Sequence, residues 1–133
     1  MLRYMLHTNI CIYIIKNKPA AVRARFNECA DELAISTITL AELHFGAENS
    51  AKPAQNRQEI EQFLSRLAVL EFSAEAAMHY GQIRAALKRA GRPVGPHDML
   101  IGAHARSASL VLVTNNTREF ERIPGLQIEN WIS

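Results

Sequence analysis

Three acidic side chains, Glu42, Asp98 and Glu119, have the types and spacing best suited to chemistry in this sequence. Each follows a predicted strand or begins a predicted helix, so all three are expected at one edge of a sheet. Clustered carboxylates repel one another and normally need a cation. Their hard oxygens suit Mg²⁺ or Mn²⁺, which keeps waters and takes further oxygens from a phosphate. The acids therefore predict metal-dependent phosphodiester hydrolysis, in which a bound metal activates water for attack at phosphorus.

A structural role for each of these residues is the alternative. Thr39-x-x-Glu42 fits a capping box, and Asn116-x-x-Glu119 places a carboxylate three residues after a plausible helix cap. Asp98 follows Pro96 in a first helical turn, where an acid interacts favourably with the helix dipole. His7, taken alone, is typical of an ordinary buried or capping histidine. Only the joint occurrence of the acids favours a site over a set of helix caps.

The elements that must position these residues alternate between strand and helix, which predicts βαβ units, a parallel sheet and helices on both faces. In such sheets, functional groups collect at the carboxyl ends of the strands. Short apolar runs predict strands at 3–6, 33–36, 69–72, 110–114 and 126–128. Helices are predicted from Thr8, over 20–30, from a Thr39 cap to about 48, over 55–67, from a Ser73 cap to about 90, from Gly95-Pro96 through 108, and from Asn116 to Pro124-Gly125, with a loop at 49–53.

The bulk composition places the chain among ordinary single-domain globular proteins. Its 133 residues carry a net charge of +2, with 48% hydrophobic and 21% charged residues, and one domain is expected to cover residues 1–133. Cys11 and Cys29 are too few and too isolated for a disulfide framework, which indicates a reducing, cytosolic location. No apolar run approaches the ~18 residues that span a bilayer.

Four motifs in this order resemble the PIN-domain family, and closely its VapC toxins, over nearly the whole chain. The motifs are Met5-Leu6-x-Thr8-Asn9, Thr39-x-x-Glu42-Leu43-x-x-Gly46, Gly95-Pro96-x-Asp98-x-x-Ile101 and Val113-Thr114-Asn115-Asn116-x-x-Glu119-Phe120. The resemblance implies a three-layer α/β/α fold and a Mg²⁺- or Mn²⁺-dependent endoribonuclease that halts translation, with the anticodon loop of initiator tRNA as the favoured substrate. It also implies a VapB-type antitoxin, a homodimer, and a complex that binds its own operator DNA.

The resemblance assigns roles residue by residue. Glu42 and Asp98 match family acids that hold the metal or its waters. Asn116 and Glu119 match the position where a carboxylate or amide completes the site. Thr8 and Thr114 match hydroxyl positions that orient these ligands.

Residue 7 departs from the family pattern, which has an aspartate there as the first metal ligand, whereas this chain has His7. Imidazole is a poor Mg²⁺ ligand and carries no negative charge. The substitution predicts an intact fold, retained antitoxin binding, and weak or absent nuclease activity.

The N-terminal region is basic, because no acid precedes Glu28 and the first 27 residues contain five lysines and arginines. Four of them follow the first strand-to-helix junction and are candidates for contact with the RNA backbone, with simple solvation as the alternative: Lys16, Lys18, Arg23 and Arg25.

Two other functions remain open from the sequence. The chain could be a non-catalytic protein-binding module in which the acids only cap helices. It could also be a small Mg²⁺-dependent phosphohydrolase, although that chemistry needs an acidic nucleophile after the first strand, where His7 stands.

Overall fold

A computed structural model describes residues 1–132 and contains five strands and seven helices over that range. The strands are β1 (Tyr4–Leu6), β2 (Leu33–Ser36), β3 (Ala68–Leu70), β4 (Val111–Val113) and β5 (Ile128–Glu129). The helices are α1 (Thr8–Lys16), α2 (Ala20–Glu28), α3 (Thr37–Glu48), α4 (Pro53–Leu64), α5 (Ala74–Ala90), α6 (Pro96–Ser107) and α7 (Thr117–Phe120). None of the helices in this range is long and apolar enough to span a membrane.

All five strands are parallel, in the order β3-β2-β1-β4-β5. The chain builds the sheet outward from β1 to β3, then returns to the other side of β1 to add β4 and β5. The order therefore reverses between β1 and β4, and open α/β sheets bind ligands at the carboxyl ends of strands at such a point. The register pairs Leu6 with Val113, so β1 and β4 end side by side.

Alternate residues of the strands face two separate cores, which confirms the predicted three-layer α/β/α arrangement. Leu6, Ile35 and Val113 pack in one core, with apolar side chains from α1 to α4. Met5 and Leu112 pack in the other core, mainly against α5 and α6. Both faces of the sheet are covered, as continuous apolar strands require.

Several predicted boundaries are wrong for identifiable reasons. The third helix begins at Thr37, where the Ser36 hydroxyl accepts a hydrogen bond from the Ile38 amide at 3.1 Å, so Thr39 is not its cap. Pro53 belongs to α4, not to a loop, because a helix tolerates proline in its first turn. The third strand ends at Leu70, because its partner β2 ends at Ser36.

Near the C-terminus, α7 ends at Phe120, well before Pro124. The last strand follows the register of β4 and lies at Ile128–Glu129, slightly later than predicted. The Ser73 cap of α5 and its left-handed Gly91 terminus are confirmed.

Candidate active site

His7 occupies the carboxyl end of β1, directly beside the end of β4. Its backbone amide donates to the Val113 carbonyl at 2.9 Å, which continues the pairing of the two strands by one residue. His7 is the N-cap residue of α1, but its side chain makes no capping hydrogen bond. The side chain is only 8% exposed, and its ring packs edge-on against Phe120 with centroids 4.8 Å apart. The ring is therefore held at the point where the strand order reverses.

Both ring nitrogens of His7 have partners. Nε2 lies 2.8 Å from Asp98 Oδ1, and Nδ1 lies 2.8 Å from the Thr114 hydroxyl oxygen. That hydroxyl oxygen also accepts a hydrogen bond from the Asn116 amide at 2.9 Å. An ionised carboxylate can only accept, so the Nε2 position carries the proton in this contact. His7 thus joins the ends of β1 and β4 to the start of α6.

Asp98 reaches this point because α6 begins at Pro96 and places it in the first helical turn. Gly95 precedes the helix without a side-chain cap, so the positive end of the helix dipole faces the carboxylate. The side chain of Asp98 is 23% exposed, which leaves part of the carboxylate open to solvent. The position of Asp98 is therefore compatible both with an interaction with the helix dipole and with a role in the site.

Glu42 lies on α3 and is tied to the first junction by Thr8. The Thr8 hydroxyl is 2.7 Å from Glu42 Oε1 and 3.2 Å from the buried Thr39 hydroxyl. The capping box predicted for Thr39 and Glu42 is wrong, because both side chains contact Thr8 on α1. A second histidine, His97, lies 3.3 Å from Glu42 Oε2 through Nδ1, and its side chain is 68% exposed.

Glu119 and Asn116 complete the edge from the β4 side. Glu119 Oε1 accepts from the Gly95 amide at 2.8 Å, and Oε2 accepts from the Asn116 side-chain amide at 2.8 Å. A Cβ placed on Gly95 would lie 3.5 Å from Glu119 Oε1 and 4.0 Å from Asp98 Oδ2. Glu119 and Asp98 therefore border the same small space, which a side chain at residue 95 would partly fill.

The seven predicted site residues, excluding the basic group, thus form two hydrogen-bonded groups that meet at the neighbouring residues His7 and Thr8. Their contacts run from Glu42 through Thr8 on one side, and from Asp98 through His7, Thr114 and Asn116 to Glu119 on the other. Sequence reasoning did not identify the contact of His97 with Glu42, although its position next to Asp98 made it worth considering.

The four basic candidates differ in whether their charged groups are exposed to solvent or bound by other residues. Lys16 and Lys18 are exposed at the end of α1 and just beyond it. The Arg23 guanidinium donates to the Ile14 carbonyl at 3.0 Å. Arg25 is bound to Glu129 at 2.7 Å, and its guanidinium stacks on Trp131 at 5.1 Å from the ring centroid. The two lysines are therefore better placed than Arg25 to meet a phosphate.

A buried histidine behind the site also escaped sequence reasoning. His104 Nδ1 lies 2.8 Å from the Ser36 hydroxyl, which caps α3, the helix that carries Glu42. Burial lowers the pKa of His104, so the neutral ring is favoured here. A histidine on the apolar face of a helix is the signal that could have pointed to it.

The donor set does not fit Mg²⁺ as it stands. The position next to Asp98 is filled by an imidazole whose Nε2 faces the carboxylate, and hard oxygen ligands are what Mg²⁺ requires. Within residues 1–132, no three histidine, cysteine or acidic side chains lie close enough together to hold a metal ion. Glu42 and Glu119 are instead engaged by Thr8, Gly95 and Asn116. Hydrogen bonds within the protein therefore satisfy these acidic side chains.

Comparison with known proteins identifies the fold and the family. The model of the PIN domain matches residues 4–126. The tRNA(fMet)-specific endonuclease VapC of Shigella flexneri is 59% identical over 131 residues, which is 98% of this chain and 99% of that protein. The DNA-bound VapBC structure from Salmonella typhimurium superposes with a TM-score of 0.95 at 56% identity, covering 98% of this chain and 99% of that one. The promoter-bound VapBC2 structure from Rickettsia felis gives a TM-score of 0.93 at 42% identity, with coverage of 98% and 99%. The chain therefore belongs to the PIN domain family, among its VapC ribonucleases.

Proposed function

We propose that this chain is the toxin of a VapBC toxin–antitoxin pair. In this role it is an endoribonuclease whose substrate is the anticodon loop of initiator tRNA. The relative that supports this substrate is named a tRNA(fMet)-specific endonuclease and is 59% identical over nearly the full length. The observation in the structure that supports it is the gathering of Glu42, Asp98 and Glu119 at the strand ends of β1 and β4. Such an edge would meet a phosphodiester through a divalent cation, and hydroxyl and amide side chains are in place to orient the acids.

The proposed partners follow from the solved relatives. Structures similar to this chain are VapBC complexes, some of them bound to DNA. We propose a VapB-type antitoxin, a VapC homodimer, and an operator-binding complex for this chain, acting in the cytosol.

Cleavage by this chain is proposed to be weak. PIN-domain nucleases generally depend on a divalent metal, with Mg²⁺ or Mn²⁺ expected here. His7 removes one negative charge from the edge and places an imidazole against Asp98 at 2.8 Å. The other contacts of the edge do not involve His7: Thr8 holds Glu42, and Asn116, whose backbone amide is bonded to Thr114, holds Glu119. Binding of RNA and antitoxin is therefore expected to survive the loss of cleavage.

The test is cleavage of initiator tRNA in Mg²⁺ or Mn²⁺ by the unmodified chain and by His7→Asp. The variant is expected to cut the anticodon loop much faster, since it supplies the family's carboxylate. Asp98→Ala in the His7→Asp background is the matched control and should abolish the gain. Equal rates for the unmodified chain and His7→Asp would overturn the proposed effect of residue 7.

A non-catalytic binding module is the second candidate, and the pairing of His7 with Asp98 favours it. A chain of this class would bind antitoxin with the same affinity before and after His7→Asp, and neither form would cut tRNA. Cleavage by the variant alone identifies a nuclease whose activity residue 7 has reduced. The phosphohydrolase alternative lacks an acid at the end of β1 and has no supporting contact.

A further inference from the structure

We propose that a basic groove at the end of α5 binds the backbone of single-stranded RNA next to the candidate active site. The groove has a volume of about 420 Å³. Its lining includes three cations and three apolar side chains, namely Arg84, Lys88, Arg92, Leu87, Val94 and Met99. Phosphates can contact the cations while a ribose or base lies over the apolar floor. The inference rests on the proposed function in taking RNA as the ligand.

Helical spacing and a left-handed turn bring the three cations together. Arg84 and Lys88 are one turn apart on α5, so their side chains lie on the same face. The helix ends at Gly91 in the left-handed conformation, and the Arg92 amide donates to the Leu87 carbonyl at 3.0 Å. This turn folds the chain back over the end of the helix. The charge of Arg92 therefore joins the two charges of α5 in one groove.

Within residues 1–132, no acid neutralises these three cations. No aspartate or glutamate occurs from residue 76 to residue 97, and the ion pairs of the described range involve none of the three. The Arg84 guanidinium donates to the Tyr80 hydroxyl at 3.1 Å and lies over its ring, which orients the charge without cancelling it. Like charges one helical turn apart repel each other. A phosphate in the groove would relieve this repulsion.

The basic groove and the candidate active site share one segment of the chain. Val94 and Met99 line the groove, and the residues beside them, Gly95 and Asp98, border the acidic side of the site. Consecutive Cα atoms are ~3.8 Å apart, so an RNA strand that crosses the site also meets the groove. Lys16 is more remote, because it lies ~12 Å along α1 from Thr8.

Two hydrogen bonds hold the loop that forms one wall of the groove. The Pro93 carbonyl accepts from the Arg122 guanidinium at 2.6 Å, and the Gly95 amide donates to Glu119 Oε1 at 2.8 Å. Both partners belong to α7 or the turn after it. The wall is therefore fixed relative to the site before RNA binds, which lowers the entropic cost of binding.

Solvation, with stabilisation by the helix dipole, is the competing explanation for the cations. Lys88 and Arg89 both lie in the last turn of α5, where positive charge is favourable. Arg89 is exposed but does not line the groove. Arg89→Ala therefore removes the same charge from the same helical turn and is the matched control.

The experiment measures RNA binding in EDTA by fluorescence anisotropy over a series of salt concentrations. The labelled RNAs are the anticodon stem-loop of initiator tRNA and an oligouridine of equal length, and a labelled oligoglutamate peptide is the protein-like anion. The proteins are the unmodified chain, the three groove variants Arg84→Ala, Lys88→Ala and Arg92→Ala, the charge-preserving Lys88→Arg, and Arg89→Ala. Melting temperatures check that each variant folds.

Each groove variant should weaken RNA binding about 2–5-fold, the effect of losing one exposed charge contact. Each should also flatten the plot of log affinity against log salt by about 0.7, the contribution of one phosphate of a single strand. Lys88→Arg and Arg89→Ala should keep the slope of the unmodified chain.

Two outcomes would overturn the inference. Equal slopes for the groove variants and Arg89→Ala would mean that the cations are only solvated. Loss of oligoglutamate binding with unchanged RNA binding would assign the groove to an acidic segment of a protein. Groove variants that weaken both RNAs alike, in a chain that does not cut initiator tRNA even after His7→Asp, would support the groove and contradict the proposed substrate. The two failures are therefore distinguishable.

Discussion

At the scale of single residues, His7 stands where the family pattern has a metal-ligating aspartate, and its side chain forms hydrogen-bonding contacts within the protein instead. His7 gives Asp98 a hydrogen-bond partner at 2.8 Å and contacts the Thr114 hydroxyl through its other ring nitrogen. Its ring also fills space against Phe120. The residue that weakens the proposed activity is therefore expected to stabilise the metal-free fold.

Replacing His7 with aspartate should accordingly destabilise the protein in the absence of metal. His7→Asp removes the donor to Asp98 and brings a second negative charge beside it, for an expected loss of ~1–3 kcal/mol in the free energy of unfolding. The melting temperature should fall in EDTA and recover when Mg²⁺ or Mn²⁺ is added, because an ion that binds only the folded state stabilises it. Thermal unfolding of both forms, with and without metal, checks this. A variant that is more stable than the unmodified chain in EDTA would contradict the argument.

At the scale of elements, α6 positions both sides of the site. Its first turn presents Asp98, and its middle packs on the segment that follows Glu119. Gly102 is buried at this contact, and a Cβ there would lie 2.6 Å from Ile123 Cδ1, 3.5 Å from Leu126 Cδ2 and 3.6 Å from Phe120 Cδ1. The glycine therefore sets how closely α7 and the turn after it approach α6.

Gly102→Ala should push these segments apart and cost ~1–3 kcal/mol of stability, as overpacking of a filled core does. Gly81→Ala on α5 is the matched control. Nothing lies within 4 Å of its added Cβ, so alanine should be neutral or stabilise the helix by up to ~1 kcal/mol. Urea unfolding of the two variants measures both effects. Equal stability of Gly102→Ala and the unmodified chain would show that Ile123 moves aside without cost.

At the scale of the whole molecule, the sequence was sufficient to predict the parallel sheet and the edge where the acids meet. The alternation of apolar strands and amphipathic helices predicts the layers, because parallel strands must be covered on both faces. Helix starts were harder to predict, since Ser36 and Thr39 are both competent caps and only the end of β2 decides between them. The pairing of His7 with Asp98 was also out of reach, because it depends on the relative placement of β1 and α6, 91 residues apart in sequence.

The distribution of charge across the molecule leads to a prediction about RNA binding. Lys16 and Lys18 are exposed at the end of α1 and just after it, whereas Arg25 is engaged by Glu129 and Trp131. Lys16→Ala and Lys18→Ala should each weaken tRNA binding, measured by filter binding or fluorescence anisotropy in EDTA. Each should also flatten the plot of log affinity against log salt by about 0.7–0.9, the contribution of one phosphate contact. Arg25→Ala is the matched control of equal charge change and should leave this slope unaltered, since its charge is already paired. A slope that flattens in Arg25→Ala but not in the lysine variants would place the RNA on the β5 side of the molecule instead.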